Sequence, residues 1–213
     1  HTDKWGLLLA NIDPGLSGRF VVLYAGNVGQ IQGLESVLEA AALLRARPDV
    51  LFLFVGDGTA CEALQGRAGR MGLDNVRFLP YQALETMPWV WASADVGLVS
   101  LMKGAGLGAL PSKSFAILAS GRPLLASIDE ASDLVALVGR ARAGMCVPPQ
   151  CPSDLAAAVL RLGEEPALCA EMGQNGRAYA LRHHSPEAAA ARFEELLAAV
   201  LAGSAPAATR STT

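Results

Sequence analysis

The chain has 213 residues, of which 52% are hydrophobic and 17% charged, with a formal net charge of -3. That length and apolar content allow one well-buried core and exclude an intrinsically disordered chain. The slightly acidic balance gives no basic patch for phosphate backbones, which excludes nucleic acid as an expected partner.

Residues 1–18 lack periodicity and carry Pro14, Gly15 and Gly18, so they read as a linker remnant. From Arg19 onward, apolar β-branched runs alternate with amphipathic Ala/Leu/Glu/Arg runs, the sign of βαβ units around a parallel sheet. Residues 20–25 form the first strand and 33–47 its helix, with Leu34, Val37, Leu38, Ala41 and Leu44 on one stripe. Further strands are expected at 51–55, 76–79 and 96–101, with helices at 60–71 and 84–94 between them. The pattern continues with a helix at 113–120, a strand at 123–127 and a helix at 130–140. A short strand at 145–147 and a helix at 152–162 follow. Helices over 166–182 and 186–201 close the pattern, and residues 204–213 read as a disordered tail.

The expected fold class is α/β: a Rossmann-like parallel sheet of about six strands with helices on both faces. Its domain spans residues 19–182, and residues 183–203 form a separate C-terminal helix. No apolar run approaches the roughly 20 residues that span a bilayer, and no basic-then-apolar leader opens the sequence, so a cytoplasmic protein is expected. The four cysteines (Cys61, Cys146, Cys151, Cys169) and three histidines lack metal-site spacing, so reduced thiols and no metal are expected.

Ligands of such sheets sit beyond the carboxyl ends of the strands, which makes the loops there the candidate site. After the first strand, Gly26, Asn27 and Gly29 lead to Gln32 and Gly33, a turn whose bare amides suit a phosphate. It matches neither G-x-G-x-x-G nor the P-loop. After the second strand, Gly56-Asp57-Gly58 offers Asp57 either to a ribose hydroxyl or as the N-cap of the next helix, the cap being the favoured reading. Pro80 and Tyr81 follow the third strand, where Tyr81 either lies against a base or closes the core. The fourth loop carries Gly106, Leu107, Gly108, Pro111, Ser112 and Lys113. Ser112 is a good N-cap, but a lysine in a first helical turn opposes the helix dipole, which points to a bound anion. In the fifth loop, Asp129, Glu130 and Asp133 serve sugar hydroxyls or helix capping, and the residues leave that choice open.

Four blocks in this order resemble the C-terminal, nucleotide-sugar-binding domain of the family 4 retaining glycosyltransferases, which have the two-domain GT-B fold. They are Tyr24-Ala25-Gly26-Asn27-Val28-Gly29 with Gln32-Gly33-Leu34, then Phe54-Val55-Gly56-Asp57-Gly58. The third is Asn75-Val76-Arg77-Phe78-Leu79-Pro80-Tyr81, and the fourth runs from Gly106 through Pro111-Ser112-Lys113 to Gly121-Arg122-Pro123. The likeness covers roughly residues 19–200 and is nearest to the bacterial surface-polysaccharide type.

The resemblance implies a UDP- or GDP-linked sugar as ligand, with no cofactor and no metal. Gly26 and its neighbours would face the diphosphate, Lys113 would neutralise it, and the Pro80-Tyr81 segment would approach the base. It also implies an acceptor-binding domain ahead of residue 1, without which the chain would be inactive, and a terminal helix that packs back across the interdomain cleft. A membrane would be met only through the acceptor or that partner domain, at the inner face. Two features depart from the family. Its E-x7-E acids fall on Gly108 and Ala116, leaving Glu130 as a substitute for ribose contact, and Gln32 stands where a lysine is common. No catalytic residue is assigned. The alternatives are a non-catalytic nucleotide- or sugar-binding module, a sugar-nucleotide epimerase half, and a nicotinamide oxidoreductase.

Overall fold

Six short runs rich in Val, Leu and Phe pair as one parallel sheet, as fully buried strands do when helices cover both faces. The computed structural model describes residues 18–108 and 110–201. The expected linker, apart from Gly18, and the expected tail lie outside the described residues. The strands are β1 (Phe20–Ala25), β2 (Val50–Val55), β3 (Val76–Leu79), β4 (Val96–Ser100), β5 (Leu124–Ser127) and β6 (Gly144–Val147). Their spatial order is β3-β2-β1-β4-β5-β6, so the winding reverses between β1 and β4. Crossovers leave a crevice at such a reversal, outside the carboxyl ends of the strands.

Alternation along each strand builds two cores. Val22 and Tyr24 of β1 join Phe52 and Phe54 of β2 in one layer, while Val21, Leu23, Leu51 and Leu53 enter the other. The first layer is covered by α1 (Glu35–Leu43), α2 (Cys61–Met71) and α6 (Pro152–Glu164) through Val37, Leu38, Leu64 and Val159. The second is covered by α3 (Met87–Ala92), α4 (Lys113–Ala119) and α5 (Asp133–Ala141), with Trp91, Ile117, Leu118 and Leu137 inserted. At the second position of β4, Gly97 lets α4 lie close on the sheet: an added Cβ would stand 2.6 Å from Ile117 Cγ1.

α7 (Pro166–His184) packs along α4, and α8 (Pro186–Leu201) follows at Ser185 with contacts to α7. α8 buries none of its residues and exposes Phe193, Leu197 and Val200. No described helix is long and apolar enough to cross a membrane.

The differences from the expected elements have local causes. The first helix starts two residues late, as α1, because residues 30–32 form a 3-10 turn and Gly33 then adopts a left-handed φ of 57°, and it ends at Leu43 in a run of turns over residues 44–46. The helix expected over 84–94 divides into a 3-10 turn (Leu84–Thr86) and α3, with Pro88 in the first turn of the new helix. β5 starts at Leu124, not Pro123, since proline has no N–H for the ladder. α5 starts at Asp133 rather than at residue 130, because the Ser132 hydroxyl caps it by accepting from the Leu134 N–H at 3.2 Å. α7 runs two residues past the expected stop, so the boundary placed at 182/183 falls inside a helix.

Candidate functional site

The turns leaving β1 and β4 meet in a cavity of about 590 Å³, within the range of small-molecule sites. Gly26, Asn27 and Gln32 line it on one side and Pro111, Ser112 and Lys113 on the other. Tyr81, Leu84, Met87 and Trp91 supply an apolar wall, and Ala116 sits on the next turn of α4.

The turn after β1 is held from beneath by the turn after β2. The Val28 N–H donates to the Asp57 carbonyl at 2.8 Å, and the Ala60 N–H donates to the Val28 carbonyl at 3.0 Å. Gly56, at φ 145°, lies directly under the Gly26 carbonyl, where any side chain would collide. Gly56→Ala is therefore expected to destabilise the fold by about 1–3 kcal/mol, the cost of a strained backbone conformation. Thermal denaturation would check it, and an unchanged Tm would count against this buttress. The Gln32 side-chain carbonyl accepts from the Gly29 N–H at 3.0 Å and ties the same turn to its own 3-10 segment.

Lys113 dominates the electrostatics. It is half-buried, with Nζ 3.7 Å from the centroid of the Tyr24 ring and close above Gly26. No carboxylate lies among the residues lining the cavity, and Lys113 has no ion pair among the described residues. Burial alone pushes its pKa down to about 7. An ammonium in this position gains most from an anionic ligand, whose charge would offset the lost hydration.

Seven of the sequence-predicted site residues come together here: Gly26, Asn27, Gln32, Tyr81, Pro111, Ser112 and Lys113. Gly29, Gly56, Asp57 and Gly58 lie outside the lining and serve the turns beneath it. The N-cap reading of Asp57 is corrected. Residue Ala60 precedes α2 with no side-chain cap, and Asp57 Oδ1 accepts instead from the Gly58 N–H at 2.7 Å. Ser112 makes no cap bond either, since its backbone is already helical.

Pro80, Gly106, Leu107 and Gly108 are also outside the lining; an added Cβ at Gly106 would stand 2.6 Å from Ile128 Cγ1, while Leu107 and Gly108 are exposed. Glu130 lies outside the lining too, in a separate cavity with Asp129, Lys103 and Cys146. Sequence reasoning missed Trp91, Leu84, Met87 and Ser100 as lining residues and Tyr24 as the seat of Lys113. Tyr24 carries one faint signal, a polar tip in an otherwise apolar strand.

A six-stranded, doubly wound parallel sheet of this order, with its crevice at the reversal, is the Rossmann-like architecture found in GT-B glycosyltransferases. HepE of Anabaena, crystallised in complex with UDP and glucose, matches it with a TM-score of 0.78 at 21% identity, over 92% of this chain and 52% of that one. In sequence, the family described as glycosyl transferases group 1 matches residues 19–165, and the chain belongs to that family. WcaI of Escherichia coli strain K12, named as a colanic acid biosynthesis glycosyl transferase, is 35% identical over 140 residues, 65% of this chain and 34% of that protein. WbjE of Pseudomonas aeruginosa, named as a glycosyltransferase, is 31% identical over 144 residues, 67% of this chain and 36% of that protein. The chain thus matches about a third of the length of these relatives.

Proposed function

We propose that this chain is the donor-binding half of a glycosyltransferase that moves a sugar from a UDP- or GDP-linked donor to an acceptor in polysaccharide or glycolipid synthesis. The observation that carries this reading is Lys113, an ammonium facing a cavity without a carboxylate partner, above the Gly26 turn. The diphosphate lies between that turn and Lys113, and the base rests toward Tyr81, Leu84 and Met87. HepE supports the ligand class, because its crystals contain UDP and glucose.

Transfer proceeds with retention and without a metal ion, with Lys113 and backbone amides taking up the charge of the departing diphosphate. An N-terminal acceptor domain supplies the catalytic groups, so the chain binds donor but does not transfer sugar alone. The protein works in the cytoplasm and meets the inner face of the membrane through its acceptor or that domain. Within the chain, residues 19–182 hold the donor and α8 packs back on the cleft between domains; its exposed Phe193 and Leu197 support this.

Calorimetric titration with UDP, GDP and NAD tests the reading. Binding of UDP or GDP in the micromolar to millimolar range is expected, and preference for NAD over both would overturn it. One observation favours a second reading, a non-catalytic sugar-nucleotide module: Gly108 and Ala116 replace both acids of the E-x7-E pattern, and Ala116 lines the cavity. Sugar transfer after an acceptor domain is supplied would separate the two.

A further inference from the structure

An uncompensated ammonium in a half-buried position needs something to hold it there. The usual solution is a carboxylate, which would also cancel its charge and compete with any anionic ligand. Here the partner is an aromatic face. Tyr24 is almost fully buried, its ring lies 3.7 Å below Lys113 Nζ, and its hydroxyl donates to the Asn27 carbonyl at 2.6 Å. One side chain thus touches both halves of the cavity: the lysine from α4 and the glycine turn after β1. Tyr24 is itself braced by Phe54, ring centroids 6.1 Å apart, and Phe54 stacks on Phe78 at 4.9 Å.

We propose that Tyr24 is a positioning residue for Lys113. Its ring face seats the ammonium over the Gly26 turn while its hydroxyl fastens that turn, leaving the lysine's charge available to an anion. A π face attracts a cation through its quadrupole without carrying a net charge of its own. The identity of the anion rests on the donor-site reading above, whereas the seating of Lys113 does not. Besides Lys113, the titratable groups facing this point are Tyr81 from the turn after β3 and Tyr24 itself; no carboxylate, imidazole or guanidinium is among the lining residues.

The test begins with nuclear magnetic resonance of the whole chain without nucleotide, with Lys113 assigned by loss of its signals in Lys113→Met. The Lys113 Hε signals are expected upfield of those of exposed Lys103, as a ring current requires. Tyr24→Phe keeps the face and should leave the Lys113 titration midpoint in place. Tyr24→Leu removes the face and should lower that midpoint by about 0.5–1.5 pH units, the scale of a cation–π contact. UDP titrations then give the second readout. Tyr24→Phe should weaken binding at every pH by one common factor, and Tyr24→Leu should also move the pH at which binding fails.

An absent upfield shift in the wild type would overturn the proposal. So would a Tyr24→Phe midpoint displaced as far as that of Tyr24→Leu. If Tyr24→Leu does not fold, the wild-type shift still decides, and a Tyr24→Phe midpoint lowered by about 0.5 pH units or more, the scale of a lost cation–π contact, would overturn the proposal. A chain that passes the nucleotide-free measurements but binds no UDP would remove the donor-site reading and leave the role of Tyr24 standing.

Discussion

Lys113→Ala is expected to weaken UDP or GDP binding by about 1–3 kcal/mol, the scale of a hydrogen bond to a charged group, or roughly 5- to 150-fold. The expectation follows from the placement of Nζ above Gly26, at the reversal of the sheet, with no acid beside it. Lys103→Ala is the control, since Lys103 lines the separate cavity of Asp129 and Glu130 and should change affinity little. Calorimetry on both variants is decisive. Equal losses would indicate a general electrostatic effect, and an unchanged Lys113→Ala would remove the lysine from the site.

The second large effect is a pH dependence of both stability and binding. Burial lowers the Lys113 pKa from 10.5 to about 7, so between those values the unfolded chain binds a proton that the folded chain does not. Stability then rises with pH across that window. The burial cost is greatest below pH 7 and is relieved as pH approaches 10.5. Between about pH 7 and pH 9 this one group is expected to add about 2 kcal/mol to the stability of the wild type relative to Lys113→Met. Burial raises the thiols of Cys146 and Cys169 to about 11, so their stabilisation is lost only above the ordinary thiol value of 9.0; they oppose the lysine beyond that pH and leave the interval from pH 7 to 9 clear.

Ligand binding has the opposite slope. The ammonium form binds the diphosphate, so affinity should fall by about tenfold or more over the same interval as the free site loses its proton. Binding above about pH 7 should also take up a proton, visible as a dependence of the calorimetric heat on buffer ionisation enthalpy. A heat independent of buffer, with flat affinity, would show that Lys113 keeps its charge with or without ligand.

Much of the fold was legible because its signals are local. Six strands and their helical crossovers follow from runs such as Val50–Val55 and from the stripe on α1, which bury or expose side chains whatever the rest of the chain does. Glycine turns at strand ends marked the crevice for the same reason, and Lys113 stood out against its own helix start. Ends of elements were less readable: the 3-10 turn at Gln30–Gln32 and the late start of α5 depend on which backbone groups find partners. Capping assignments for Asp57 and Ser112 failed because a good capping residue caps only if its own backbone stays out of the helix and reaches the right N–H.

The linear order of residues determined the class of architecture, a parallel α/β sheet, and the loops that carry its chemistry. Tertiary structure alone decided which loops converge, since strand order places β1 beside β4 although 70 residues of chain separate Ala25 from Val96. It also sorted similar glycine motifs into different tasks, with Gly26 facing the cavity and Gly56 and Gly58 supporting it from below. Only packing could give Lys113 a tyrosine ring instead of a carboxylate, because that contact joins a strand to a helix far along the chain, and no local periodicity encodes it.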